Sequence, residues 1–178
     1  MANLDNSRGF TLYQPAQGRE PRVESLRVKA STTIYPGQPL KLTAAGVTGG
    51  TTRVVEPVTA AGSIVFAIAM GYATAGASDV VHVLACTDFR DHLWRTQTDG
   101  ALVGTDMGKM GAHTATAADA TLKQARNFIT YSTLAAAPGD ISDGTLWEIV
   151  GLVPESGNAL GAYADIIVRY SYTTQPAA

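Results

Sequence analysis

No stretch of this chain keeps one hydrophobic period for long. Short apolar or alternating runs recur from end to end, and each is cut by glycine, proline or a polar turn before a helix of ordinary length can complete itself. With 18 glycines and 8 prolines in 178 residues, that punctuation predicts a mainly β chain.

From Arg22 onward, Val23, Leu26, Val28 and Ala30 interleave with Glu24, Arg27 and Lys29, as in a half-buried strand with a bulge near Ser25. Pro36-Gly37 supplies a type II turn, since proline fixes φ and glycine accepts a positive one. Strands are expected at Leu40–Thr43 and Arg53–Val58, with turns at Ala45-Gly46 and Gly49-Gly50 between them. Ser63–Tyr72 is a nearly continuous apolar run whose β-branched content favours a strand buried on both faces. Further strands fall at Asp79–Cys86, Leu93–Gln97, Asn127–Thr133, Leu146–Val153 and Ala164–Thr173, with turns at Pro138-Gly139-Asp140 and Ser156-Gly157-Asn158. Roughly eight short strands at even spacing indicate a compact β-barrel or β-sandwich. The stretch 99–126 interrupts this regularity: Gly100, Gly104, Gly108 and Gly111 argue for loops, and the alanine-rich Thr116–Arg126 predicts a helical turn or two. The expected organisation is one domain over residues 22–178, with an irregular insertion around 99–126.

Residues 1–21 carry Gly9, Pro15, Gly18 and Pro21 and show no sustained period. They read as an extended N-terminal arm. Phe10, Leu12 and Tyr13 are costly to leave in water, which favours an arm docked on a neighbour over a frayed terminus. Charged residues make up 16% of the chain, against roughly a quarter in an average globular protein. A surface so sparsely ionised is cheap to dehydrate and suits a protein covered by neighbouring subunits.

The 13 basic and 15 acidic residues form no basic stripe, so a nucleic-acid partner is not expected. No leader pattern and no run of about 18 apolar residues occurs, which predicts synthesis in the cytoplasm without membrane insertion. The single cysteine, Cys86, forms no internal disulfide framework and reads as a small buried hydrophobe.

The residue types that carry chemistry gather best at His82, Cys86, Asp88, Asp91 and His92, with His113 more distant. A zinc site needs three or four ligands in compact spacing, and here Phe89 and Arg90 interrupt the set with no CxxC or HExxH. No metal and no cofactor are expected. Cys86 with His92 or His113 lacks the third, orienting group of a nucleophilic site, and no Gly-x-Ser-x-Gly elbow occurs. Gly104 to Gly111 resembles a phosphate loop, but Met110 follows Lys109 where Ser or Thr is required. The pairs Asp88 with Asp91 and Asp140 with Asp143 lack calcium-loop spacing and read as solvated turns. Catalysis is therefore not expected. Trp94, Trp147, Tyr163, Tyr170 and Tyr172 would suit a sugar-stacking face, but core packing or a subunit interface accounts for them equally well.

Asn6–Phe10, Tyr35–Leu42 with Ile68–Ala73, and Thr96–Gly100 through Val103–Gly108 are three stretches that together resemble small head proteins of tailed phages. Asn6-Ser7-Arg8-Gly9-Phe10 is similar to the short arm with which several of them begin. Tyr35-Pro36-Gly37-Gln38-Pro39-Leu40-Lys41-Leu42 followed by Ile68-Ala69-Met70-Gly71-Tyr72-Ala73 resembles a pattern of phage capsid decoration (cement) proteins, and Thr96–Gly100 through Val103–Gly108 is similar to a loop found in many. The resemblance implies a β-tulip-like body, a homotrimer seated on the virion surface, the major capsid protein as partner, and no catalytic residue or cofactor. It casts Arg8, Phe10, Leu12 and Tyr13 as a capsid-binding arm that adds a strand to a subunit edge. On that reading, removal of residues 1–20 leaves a folded oligomer that no longer binds capsids. A tail or fibre component is the alternative within the virion, and a carbohydrate-binding β module the alternative outside it.

Overall fold

The computed structural model describes residues 3, 8–15, 19–43, 53–60, 63–115, 118–134 and 146–171. Among these the chain is built of strands and 3-10 turns with no α-helix, so no helix is long and apolar enough to cross a membrane. The expected mainly β architecture is what forms, as a closed barrel joined to an open sheet.

The barrel is made of β2 (Val23–Val28), β4 (Pro39–Leu42), β5 (Val54–Pro57), β6 (Ala67–Ala69) and β8 (His82–Cys86). Its order is β2-β5-β4-β6-β8, with β8 pairing back to β2, and only the β2–β5 contact is parallel. A short pair, β3 (Thr32–Ile34) with β7 (Ala73–Ala75), lies beside it. A barrel's diameter grows with its strand number, so five strands leave a narrow bore. Leu26, Val28, Leu40, Val55 and Val83 fill it with Ala67, Ala69 and Ala85, and Ile34, Ala73 and Ala75 of the short pair join the same core.

The open sheet runs β1 (Thr11–Gln14), β9 (Leu93–Gln97), β14 (Asp165–Tyr170), β13 (Trp147–Leu152) and β10 (Met110–Gly111), antiparallel throughout. A hairpin of β11 (His113–Ala115) and β12 (Asn127–Ile129) extends it through a bridge from Thr98 to Ile129. Alternation sends Trp94, Ile166, Val168, Tyr170, Trp147 and Ile149 to one face, where they are buried. Their core is aromatic. Phe10 stacks on Trp147 at 4.3 Å between centroids, Trp147 meets Tyr170 edge-on at 5.1 Å, and Phe89 meets Tyr170 at 4.9 Å. The two bodies share a wall, because Ile68 and Cys86, paired across β6 and β8, belong to this aromatic core while their neighbours Ala69 and Ala85 face the bore.

Several details depart from the sequence reading. The bulge expected near Ser25 does not form: β2 pairs with β8 without a break from Val23 to Arg27, Ser25 opposite Leu84. Ser63–Tyr72 is not one long strand, since only Ala67–Ala69 pairs as one, leaving Ile64, Met70 and Tyr72 exposed. In place of the helix expected over Thr116–Arg126, the described part, Ala118–Arg126, is a tight turn closed by an Asp119–Gln124 bridge. The Asp119 carboxylate accepts the amides of Thr121 and Leu122, each at 2.9 Å, and Lys123 takes φ 52°. Local side-chain bonding of this kind outcompetes helix formation. The expected turns at 45–50 and 138–140, Asp143 and Tyr172 lie outside the described residues.

Phe10 and Leu12, in the stretch expected to be an extended arm docked on a neighbour, pack instead against the chain's own core. Phe10 is 2% exposed, and its amide donates to Gly37 O at 2.9 Å. Gly9 (φ 71°) and Gly37 (φ 80°) cross so closely that a Cβ on Gly9 would sit 2.7 Å from Gly37 O, and one on Gly37 2.8 Å from Arg8 O. Only glycine fits such a crossing.

Candidate functional site

The residues proposed from sequence as an arm separate into two kinds. Phe10 is a core ring, and Leu12 packs partly buried against the same core, opposite Trp94. Burial against Trp147 keeps the Phe10 ring from any partner while the fold is intact, so removing residues 1–20 would open the core as well as delete an arm. Arg8 and Tyr13 are exposed. The pairing register of β1 shifts between Leu12 and Gln14, so Tyr13 stands at a bulge on the outermost strand of the sheet. Bulges on edge strands re-aim side chains and interrupt further pairing, and Tyr13 is exposed to solvent there.

The barrel contributes a second exposed apolar set. Leu84 is 56% exposed and Val80 63%, and Met70, Tyr72 and Val23 are also open. Met70 and Leu84 are neighbours, since the Met70 amide donates to Leu84 O at 2.8 Å.

Between β1, β9 and the 155–165 loop lies a polar cleft of about 550 Å³, lined by Arg8, Arg95, Glu155, Asn158, Tyr163 and Asp165 among others. Arg95 grips Glu155 at 2.5 Å and Asp165 at 2.8 Å, which consumes its charge inside the cleft. Tyr163 is the aromatic of this wall, with φ 55°. Of the other rings considered for a sugar-stacking face, Trp94, Trp147 and Tyr170 do not reach it. Trp94 and Trp147 are fully buried and Tyr170 nearly so; Trp94 Nε1 donates to Phe89 O at 2.8 Å and Trp147 Nε1 to His113 Nδ1 at 3.2 Å.

The chemistry-bearing constellation also divides. His82 is exposed on β8 and His113 is buried in the core, where desolvation pushes it down to about 4. Cys86, Asp88 and His92 converge, with ligand-type atoms all within 4.8 Å of one another. The Cys86 thiol donates to Asp88 Oδ1 at 3.1 Å, the Arg22 amide donates to the same oxygen at 2.9 Å, and His92 Nε2 lies 3.1 Å from it. Burial, reinforced by the Asp88 carboxylate, pushes the Cys86 thiol up to about 12. That thiol is a proton donor at neutral pH and a poor nucleophile. Burial also works to raise the Asp88 carboxyl, but bonds from Cys86, the Arg22 amide and His92 hold it below the usual range.

Sequence spacing does not show this convergence, because Phe89 and Arg90 interrupt the set along the chain. Phe89–Asp91 is a 3-10 turn, and it folds His92 back over Asp88. The loop at Gly104–Gly111 closes on itself: the buried Asp106 accepts the Val103 amide at 2.8 Å and pairs with Lys109 at 2.7 Å, so Lys109 is tied down beside a carboxylate. That arrangement does not cradle a phosphate.

Compared with known proteins, the chain matches no family model, no curated protein and no solved structure.

Proposed function

We propose that this chain is a structural protein of a tailed-phage particle that covers and stabilises the outside of the capsid, bound to the major capsid protein and to copies of itself as a homotrimer. The observation that carries this reading is the pairing of a sparsely charged exterior with large apolar side chains left open on a rigid β body, Leu84 and Val80 on the barrel side and Tyr13 on the sheet edge. Such side chains gain free energy when a neighbour covers them, at roughly 25 cal/mol per Å² of apolar area. Many modest contacts repeated over a lattice then act together through avidity. Nothing in this role requires a reacting group.

The test uses the full chain with capsids that lack it. Co-sedimentation with capsids, an oligomer by mass measurement, and loss of capsid occupancy in Tyr13→Ala with the fold intact are the expected results. A monomer that leaves capsids bare overturns the reading. The polar cleft supports a second reading, a saccharide held against Tyr163, and glycan binding that Tyr163→Ala abolishes would move the assignment there.

A further inference from the structure

We propose that Cys86, Asp88 and His92 bind a single transition-metal ion of the zinc class at the junction of barrel and sheet, with water completing the coordination sphere on the open side of Asp88. The three donors are already gathered. Tetrahedral zinc holds its ligands at about 2.0–2.3 Å, which sets ligand atoms roughly 3.2–3.8 Å from one another. Here Sγ to Oδ1 and Nε2 to Oδ1 are each 3.1 Å, and no separation within the set exceeds 4.8 Å. Closing the set onto an ion therefore asks the widest pair to draw in by about 1 Å at most.

The backbone is also fixed where it must be. Cys86 is the last residue of β8 and is paired on both sides, to Val23 of β2 and to Ile68 of β6. Asp88 and His92 flank the 3-10 turn, which is closed by Asp91 N–H to Asp88 O at 3.0 Å and His92 N–H to Phe89 O at 3.3 Å. Trp94 Nε1 holds the same Phe89 carbonyl, and the Arg22 amide orients the Asp88 carboxylate. Outer partners of this kind keep ligands in place and raise affinity.

Access is one-sided. Cys86 and His92 are sealed, at 0% and 1% exposure, while the Asp88 side chain is 27% exposed. That leaves one direction for an ion to enter and for a water ligand to remain. A donor set of one sulfur, one imidazole nitrogen and one carboxylate oxygen selects zinc or cobalt over magnesium or calcium, which prefer oxygen alone. On binding, the Cys86 thiol loses its proton to solvent and forms a sulfur–metal bond, and the His92 proton that faces Asp88 on Nε2 exchanges through solvent to Nδ1 so that Nε2 presents its lone pair. The same contacts without an ion make a hydrogen-bonded turn, and the two arrangements differ in their response to metal.

The decisive experiment treats the full chain with a chelator and then titrates it with zinc and, separately, with cobalt(II). The expected result is one ion per chain, with a sulfur-to-cobalt charge-transfer band. Cys86→Ser should abolish that band, Asp88→Asn should weaken zinc binding at least tenfold while the far-ultraviolet circular dichroism is kept, and His82→Ala, on the same strand but outside the set, should change neither. The wild-type cobalt spectrum decides the matter even if Cys86→Ser misfolds. No saturable binding by the folded wild type, a bound ion without the thiolate band, or loss of binding in His82→Ala each overturns the proposal.

Discussion

The barrel and the sheet solve the same burial problem with different side chains. Inside the barrel sit alanine, valine and leucine, because five strands enclose too little width for a ring. Against the open sheet Trp147, Phe10, Phe89 and Tyr170 interlock at 4.3–6.3 Å with Trp94 buried in the same cluster, because an open face can be covered by loops as deep as its side chains require. The abundance of alanine that reads as bland composition is thus, in the barrel, a requirement of closure. The two regions should fail in opposite ways, the sheet by losing volume and the barrel by gaining it.

The largest effect should come from Trp147→Ala, which removes the ring that Phe10, Phe89 and Tyr170 all contact. A loss of about 3–5 kcal/mol is expected from denaturant unfolding. An equal loss from Val55→Ala in the bore would break the contrast between the two cores.

Acid should next sharpen the picture, because the sheet core buries His113 while the buried side chains of the bore are all aliphatic. His113 is held neutral, pushed down to about 4 by burial from an ordinary value of 6.5. The unfolded chain takes up its proton as pH falls through 6.5 and the folded chain does not, so stability drops between pH 6.5 and 4 and levels below that. The loss is on the order of 3 kcal/mol. Carboxyls held low, such as Asp106 beside Lys109, lose their contribution only at lower pH, so the histidine window stands apart. Urea midpoints at pH 7 and pH 4.5 measure it, and a flat profile would show that the core admits the charged ring.

The smallest effect should come from Ala85→Leu, which forces three extra carbons into the bore for a cost of about 1–3 kcal/mol. A neutral result would mean that the bore has slack and that its alanines are not set by closure.

Much of this architecture was legible because alternation survives where strands are long. A strand is expected around Leu93–Gln97, where β9 forms, and β13 and β14 fall within their expected stretches. Strands of two or three residues, such as β3, β7 and β10, are too short to show a period and were missed. The arm is expected to dock on a neighbour because a Phe10 set between Gly9 and Thr11 carries no sign of which core it enters. For the Cys86–His92 turn the residue types were visible but their geometry was not, since a 3-10 turn over Phe89-Arg90-Asp91 leaves no hydrophobic signature.

The crossing of Gly9 and Gly37 carries a consequence for how the chain tolerates change. At most tight contacts a substitution on one side can be rescued by trimming the other, and here neither partner has anything left to trim. The clash is with main-chain oxygen, which no substitution removes. These two positions are locked separately, each to a single residue type, and the strand entry at Arg8–Phe10 and the 35–38 turn can diverge in sequence only around that fixed knot.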